Sequence, residues 1–293
     1  MIGYNISGDY MIKQSKYFWI LYITFTVILI ISLYKITAKQ IDYKMTEEQE
    51  KYIRNTIIKI TEPDSNNENI EIVNPPIEPE PDEEIPKEDL SYLQNDYWYY
   101  INQPLISVDF SSLQAKNQDT VAWIMLNGTN INYPVVQTTD NNYYLHHAYD
   151  HTNNEAGWVY MDYRNNPKEF DQNTIIYGHG MNNNTIFGSL RYIVQDWWYT
   201  NTDNQTVKLS TPSENTLWQV FSVYTIPEET YYLQTKFDDN TEYNKFLNEL
   251  KSRSIYEFNA DLNENDKILT LSSCYNNELR VVLHAKLIKR EQR

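Results

Sequence analysis

The fold is decided by a stretch near the C-terminus, KILTLSSC (residues 267–274), which ends on the only cysteine of the 293-residue chain. Leu269 and Leu271 alternate with polar side chains, and this alternation predicts a strand with one apolar face. Cys274 belongs to the polar side of the alternation. We therefore expect its thiol to face away from the core, toward solvent or a groove.

A second strand is predicted directly afterwards, RVVLHAKLI (residues 280–288), in which Arg280 lies opposite the apolar face. The short polar connection 275–278 is typical of a turn between antiparallel strands. Such a hairpin would bring the thiol of Cys274 and the guanidinium of Arg280 close together on the non-core face. That arrangement suits a cysteine nucleophile with a partner for an oxyanion.

Composition excludes several classes of function. The formal net charge of −16 disfavours binding to nucleic acid, because phosphate backbones would be repelled. One cysteine allows neither an internal disulfide framework nor a cysteine-rich zinc site. The chain has 26 tyrosines but 7 glycines and contains no glycine-rich phosphate-binding motif. A lone thiol is either buried and inert or retained for chemistry, and composition alone favours the inert alternative.

The N-terminal part predicts a single membrane anchor. Residues 17–34 carry no charge, are long enough to cross a bilayer as a helix, and have aromatic residues at both ends. No small-residue cleavage site follows, so we expect an uncleaved anchor. Residues 1–16 would form a cytoplasmic N-terminus. Residues 35–60 form a juxtamembrane segment whose charge order suits a helix.

A change of composition marks a linker at residues 61–88. This segment holds six prolines among many acidic and amide residues. It cannot bury enough apolar surface to fold, so we expect a disordered, extended acidic stalk. A calcium-binding role for its carboxylates is less favoured than plain solvation. The folded domain is then expected to occupy residues 89–293.

The folded domain is predicted to be mainly β with peripheral helices. Many short strands with few helices indicate a barrel or a sandwich. The patterns predict strands at 121–126, 131–136, 157–162, 174–177, 207–209 and 217–224, and helices at 90–101, 186–192 and 243–255.

Five histidines are candidates for a partner of Cys274. His179 follows a predicted buried strand and lies between two glycines, where a fixed backbone can present a side chain. His284 lies on the arginine strand, well past the thiol. The remaining three, His146, His147 and His151, lie in a polar loop. A lone histidine is often structural, but the parallel placement of His179 and Cys274 at strand ends favours His179.

These segments together resemble sortases. TIIYGH (174–179) with TIFGSL (185–190) resembles the sortase histidine segment, TLSSC (270–274) the TLxTC signature, and RVV (280–282) the arginine strand. Further segments resemble class B sortases, as does the predicted helix at 243–255; they are WI (123–124), GTNINYPVVQ (128–137), DNNYYL (140–145) and MDYRN (161–165).

The resemblance implies a closed sortase-type β-barrel and a membrane-anchored cysteine transpeptidase of Gram-positive bacteria. Such an enzyme cleaves a C-terminal sorting signal on secreted proteins and holds them as a thioacyl intermediate. It then transfers them to an amine of a peptidoglycan precursor or a pilin. The domain would lie outside the cell. No metal or other cofactor is implied. Cys274 would be the nucleophile, His179 the acid and base, and Arg280 the oxyanion partner.

The resemblance also implies a set of substrate-binding residues, namely Asn141, Leu145, Tyr232, Leu233, Ser272 and Ser273. The chain departs from the family pattern at two points. Ser273 stands where the signature usually has Thr, and it keeps the hydroxyl group. The connection from Cys274 to Arg280 is shorter than is usual, which bears on where Arg280 lies.

Two alternatives remain open on sequence alone. A non-catalytic surface protein could display a tyrosine-rich β-domain on a stalk to bind a ligand. It would share the architecture but would not require Cys, His and Arg on sortase-like segments. A papain-like hydrolase is the nearest enzyme alternative, but there the histidine follows the cysteine in the chain, whereas His179 precedes Cys274.

Overall fold

The computed structural model describes residues 6–56, 69–75, 96–276 and 278–293. The chain divides into two compact units, residues 1–45 and 46–293. Helix α1 spans Ile6–Thr56, and its portion Tyr17–Ile53 is long and apolar enough, by length and composition, to cross a membrane. Within it, Thr24 and Thr26 donate to the carbonyls of Ile20 and Tyr22, so their hydroxyl groups need no water.

The second unit is built on a closed β-barrel, as predicted. Eight strands, β2 to β9, follow one another around the barrel in the order β9-β7-β6-β2-β3-β4-β5-β8, and β8 pairs again with β9 to close it. Their bounds are β2 Thr120–Leu126, β3 Asn132–Val136, β4 Tyr160–Met161, β5 Asn173–Tyr177, β6 Thr206–Ser210, β7 Glu214–Pro227, β8 Ile268–Cys274 and β9 Leu279–Gln292.

Most predicted strands match observed ones, with two differences. The strand expected at 157–162 is reduced to the two residues of β4. A further strand, β1 (Ile70–Ile72), lies inside the segment expected to be an extended linker and pairs with residues 289–291 of β9. The structure therefore differs from an uninterrupted stalk at these residues. The other residues predicted as linker lie outside the described residues, apart from 69 and 73–75.

Helices surround the barrel. They are α2 (Asp96–Ile101), α3 (Phe110–Gln114), α4 (Asp196–Tyr199) and α5 (Asn240–Ser252), with 3-10 helices at Tyr143–Leu145, Gly188–Val194, Thr202–Asn204 and Tyr231–Leu233. The first half of the helix predicted at 90–101 lies outside the described residues, and the helix predicted at 186–192 is the 3-10 helix at Gly188–Val194. Helix α5 begins where Asp239 accepts from the backbone N–H of Glu242, a standard N-cap.

Both faces of the β8–β9 hairpin are buried, which corrects the expectation of an open polar face. Leu269 and Leu271 belong to the barrel core. The opposite face is covered by a second apolar cluster under α5, which includes Phe246 and Leu250. The polar residues on that face are buried because α5 and the 3-10 helix at Tyr231–Leu233 pack over them. Cys274, at the strand end, is partly exposed.

The last turns of α1 pack within the second unit. Ile53 is part of the barrel core. Glu50 accepts a hydrogen bond of 2.7 Å from the hydroxyl of Tyr133, which itself accepts from the backbone N–H of Ile186 at 2.9 Å. Glu47 accepts from Asn183 at 3.0 Å. Residues 46–53 therefore contact the loop that follows β5.

Candidate active site

Cys274 and Arg280 are direct partners across the β8–β9 ladder. An N–H of Arg280 Nη1 donates to Cys274 Sγ at 2.6 Å. The tight connection between the strands sets this pairing, since the side chain of Asn276 accepts from the backbone N–H groups of Glu278 and Leu279. The short connection thus leaves Arg280 opposite the thiol.

The other end of the guanidinium contacts a carboxylate. Arg280 Nη2 donates to Glu228 Oε1 at 2.7 Å, and Glu228 lies just after the end of β7. Burial acts to lower the pKa of Arg280, but the neighbouring Cys274 and Glu228 outweigh it and raise the pKa above its ordinary value. Arg280 is therefore a permanent cation between the sulfur and a carboxylate.

His179 reaches the same end of the sheet from β5. Strand β5 runs parallel to β8, with Tyr177 opposite Ser272, so His179 and Cys274 each follow that pair by two residues. The Nε2 atom of His179 lies 2.9 Å from the carbonyl oxygen of Leu145. Because a carbonyl can only accept, Nε2 carries the proton. In the neutral ring, Nδ1 is then the atom that can accept a proton.

The loop after β5 lies directly against the end of β8 at Gly180. A Cβ atom at Gly180 would lie 2.0 Å from the carbonyl oxygen of Cys274. Only glycine permits this approach without displacing one backbone from the other. The close approach brings the segment carrying His179 to the end of β8.

Ser272 and Ser273 are buried and bonded to the scaffold. Ser273 Oγ donates to the carbonyl oxygen of Gly178 at 2.8 Å, which ties β8 to the residue before His179. Ser272 Oγ lies 2.9 Å from the hydroxyl of Tyr232. Burial raises the pKa of Tyr232, so this phenol stays neutral. Both serines therefore bind protein groups in this structure, one to the histidine segment and one to the loop before α5.

The other predicted substrate-binding residues line neighbouring loops. Asn141 donates to Asp162 and accepts from the backbone N–H of Tyr163, both at 3.0 Å. Leu145 supplies the carbonyl that fixes His179. The carbonyl oxygen of Leu233 accepts from Arg164 at 2.9 Å. The polar groups of Asn141, Leu145 and Leu233 therefore form hydrogen bonds within the protein scaffold.

Sequence reasoning missed the role of Asp162. Its buried carboxylate accepts from Arg164 Nε at 2.8 Å and Nη2 at 2.7 Å, from Tyr177 at 2.9 Å and from Asn141 at 3.0 Å. Burial acts to raise the pKa of Asp162, but these donors outweigh it and hold the pKa below its usual range. Asp162 and Arg164 join the Asn141 and Leu233 loops. The Asp-x-Arg spacing that begins on the last residue of the strand predicted at 157–162 was the available signal.

The other histidines have separate surroundings. His284 is fully buried between Thr270 and Tyr224, with ring nitrogens 2.9 and 2.8 Å from their hydroxyl groups. Burial lowers its pKa to about 3. His147 stacks on Tyr143. The last two are His146, which lies near Glu155, and His151, which lies near Tyr143 and Tyr144. Across the described ranges, no group of three or more His, Cys, Asp or Glu side chains is arranged to hold a metal.

Comparison with known proteins identifies the family. The model of the Sortase domain family matches residues 124–288, more than half of the chain. The chain belongs to the sortase family. Sortase B of Listeria monocytogenes is 35% identical over 185 residues, covering 61% of this chain and 74% of that protein. Sortase B of Staphylococcus aureus is 33% identical over 192 residues, covering 64% and 78%.

Solved structures of sortase B support the assignment of the chain to class B. A Bacillus anthracis sortase B in complex with AAEK1 is 36% identical with a TM-score of 0.58, covering 68% of this chain and 98% of that one. A Staphylococcus aureus sortase B–substrate complex is 34% identical with a TM-score of 0.57, covering 61% and 84%. The chain is a class B sortase and a cysteine transpeptidase. Membership of this family decides against the binding-protein and papain-like alternatives. Sortases as a family use protein substrates with sorting signals and an amine acceptor.

Proposed function

We propose that this sortase is anchored in the cell membrane by residues 17–34 and carries its barrel outside the cell. There it would cleave a C-terminal sorting signal after a Thr and transfer the secreted protein to an amine of the cell wall or of a pilin. The supporting observation is the contact between Arg280 and Cys274 at the strand end that the His179 segment also reaches.

The proposed chemistry has two halves. The thiolate of Cys274 attacks the carbonyl carbon of the Thr, and Arg280 donates to the oxyanion that forms. As the peptide C–N bond breaks, protonated His179 gives a proton from Nδ1 to the leaving amine, and a thioester remains. The acceptor amine then attacks the thioester, His179 takes its proton, and the Cys274 sulfur leaves as thiolate.

We propose that the remaining family-matched residues form the walls of the substrate groove. In this structure their polar groups bond to the protein scaffold, so their contribution would be shape and apolar contact with the sorting peptide. Asp162 and Arg164 would hold two of these loops in place. The wall residues are Asn141, Leu145, Tyr232, Leu233, Ser272 and Ser273.

The test of catalysis uses the full-length chain in detergent and a pool of peptides of the NPxTx, LPxTG and SPxTG forms. Intact mass should show an acyl adduct on the native chain and none on Cys274→Ala. Arg280→Ala should lower the rate of adduct formation by at least 100-fold, because the oxyanion loses its donor. An adduct on the Cys274→Ala chain would contradict the assignment of the nucleophile.

The test of topology uses the fact that Cys274 is the only cysteine. A membrane-impermeant thiol reagent should label Cys274 on intact cells. In a matched Ser15→Cys, Cys274→Ser variant, the reagent should label the new cysteine after lysis only. Labelling of the two sites in the reverse pattern would contradict an extracellular barrel.

A further inference from the structure

Tyr160 carries a hydroxyl group that the protein itself does not use. The side chain is 6% exposed, and among the described residues its hydroxyl group takes part in no hydrogen bond. Two other tyrosines of the site differ in this respect. Tyr177 donates to Asp162 at 2.9 Å, and the hydroxyl of Tyr232 lies 2.9 Å from Ser272 Oγ. A phenylalanine would fill the space of the Tyr160 ring, so packing does not require the hydroxyl group.

The strand register places Tyr160 on the face of the sheet that carries the site. Tyr160 of β4 lies opposite Tyr177 of β5, which lies opposite Ser272 of β8. Residues opposite one another in a ladder share a face, and so do residues two positions apart in one strand. Tyr160 is therefore on the same face as Cys274. Its ring packs against that of Tyr177, with the ring centroids 5.3 Å apart.

The phenol of Tyr160 lies in the electrostatic field of the Cys274–Arg280 pair. Burial raises the pKa of Tyr160, Asp162 and Cys274 raise it further, and Arg280 lowers it. The hydroxyl group therefore stays neutral and lies near both members of the pair. The hydrogen bonds of Cys274 and Arg280 within the described part of the chain do not include it. A gap thus separates the phenol from the pair, and a substrate group held at Cys274 can occupy it.

The residue of the sorting signal that is held at Cys274 is the scissile Thr. In the proposed reaction, Cys274 Sγ bonds to the carbonyl carbon of that residue. The side-chain hydroxyl oxygen of the Thr is three bonds from this carbon, so it lies within about 4 Å of it. A buried hydroxyl group without a partner costs folding free energy, and a substrate hydroxyl that pairs with it recovers this cost on binding.

We propose that Tyr160 is a specificity-determining residue whose hydroxyl group forms a hydrogen bond with the side-chain hydroxyl group of the scissile Thr. The inference rests on the proposed function. It implies a preference for Thr over Val, which has nearly the same shape but lacks the hydroxyl group. With Val in place of Thr, the phenol of Tyr160 is left unpaired in a closed site, and the peptide is disfavoured.

The experiment measures kcat/KM for the acylation step with the full-length chain in detergent. Three peptides of the form Asn-Pro-Gln-x-Gly carry Thr, Ser or Val at x. The native chain should prefer Thr over Val by about tenfold, the effect of one buried hydrogen bond. Tyr160→Phe should lower the rate with Thr and leave the rate with Val close to native, so that the ratio falls to about twofold or less. The Ser peptide keeps a hydroxyl group and should lose as much as the Thr peptide does.

The matched control is Tyr177→Phe, the same chemical change on the neighbouring ring. This variant loses the hydrogen bond to Asp162, so it should melt at a lower temperature, yet it should keep the native Thr-to-Val ratio. Tyr160→Phe removes no hydrogen bond made within the described residues, so its melting temperature should be native or higher. The two variants therefore separate an effect on folding from an effect on specificity.

The outcomes separate the inference from the function on which it rests. An unchanged Thr-to-Val ratio in Tyr160→Phe, with adducts still formed on Cys274, would overturn the inference and leave the transpeptidase intact. A loss of equal size with all three peptides would overturn it too, because the hydroxyl group would then act on the peptide backbone or on Cys274. No adduct with any peptide would overturn the proposed substrate and the inference together.

Discussion

The β8–β9 hairpin and the loop at residues 178–188 bring the proposed catalytic residues to the same end of the sheet by different means. The hairpin is regular, and its ladder register alone sets Cys274 opposite Arg280. The loop is irregular, with Asn184 and Ile186 at φ values of 63° and 54° in the left-handed region. The two strands of the hairpin are neighbours in sequence, so their ladder forms locally. The loop is held in its conformation by contacts from distant parts of the chain.

Those distant contacts are specific. Arg191 donates to the carbonyl oxygens of Gly188 at 2.6 Å and Met181 at 3.1 Å, and so closes the loop on itself. Tyr133 from β3 accepts from the loop at Ile186 and donates to Glu50 of α1. The position of His179 thus depends on the barrel and on the end of α1, and the position of Cys274 depends mainly on its own hairpin.

The largest expected effect comes from separating the two regions. Gly180→Ala would place a Cβ 2.0 Å from the Cys274 carbonyl oxygen, so the loop and the hairpin must move apart. A shift of about 1 Å between catalytic groups lowers activity by roughly 100-fold. We expect a loss of kcat/KM of at least that size, together with a lower melting temperature. Native kcat/KM in this variant would show that the close approach does not position His179.

An effect of intermediate size is expected when a change of pH alters the free energy of unfolding through His284, in the interior of the hairpin. His284 is neutral in the folded state, with its pKa lowered to about 3, and the unfolded side chain titrates near 6.5. The unfolded state therefore binds more protons below pH 6.5. The free energy of unfolding should fall as pH drops from about 6.5 toward 3, by up to roughly 1.4 kcal/mol per pH unit.

Urea denaturation of the full-length chain between pH 7 and 4 measures this slope. Buried carboxylates such as Asp162 also titrate in acid, so the matched variant His284→Gln isolates the histidine. It should unfold with a shallower pH dependence than the native chain. Equal slopes would mean that His284 does not make the hairpin sensitive to acid.

The smallest effect concerns the side-chain bond between the two regions. Ser273→Ala removes the donor to the Gly178 carbonyl oxygen, which should cost about 1 kcal/mol of stability and a few-fold in kcat/KM. Ser273→Thr, which restores the family signature and keeps a hydroxyl group, should stay close to native. Denaturation and acylation kinetics on both variants test this. A Thr variant as impaired as the Ala variant would place the cause in packing instead of the hydrogen bond.

Sequence patterns predicted the barrel and its strands well where periodicity is strong. The hairpin, the β2–β3 pair and α5 each have an apolar face that alternates or repeats, and each lies close to its predicted place. Strand β1 was missed because three residues inside an acidic, proline-containing segment are too few to show an alternation of apolar and polar side chains. They form a strand because the edge of β9 beyond β8 is open to pairing.

The environment of the polar face was predicted less well. Alternation shows that Thr270 and Cys274 share a side of β8, but it does not show that α5 covers most of that side. The covering depends on residues 240–252 packing back over the hairpin, which is a long-range event. It turns His284 into a buried structural group and leaves the strand end at Cys274 partly open.

The sequence by itself determined which residue types could do the chemistry and which strands carry them. A single cysteine, a histidine after a buried strand and an arginine on the next strand are local facts. Tertiary structure alone decided that Gly180 lies against Cys274, that Leu145 sets the tautomer of His179, and that Glu228 contacts Arg280. These contacts join segments that are far apart in the chain. Local periodicity cannot encode them, because it does not specify which distant backbone or carboxylate group contacts the end of a strand.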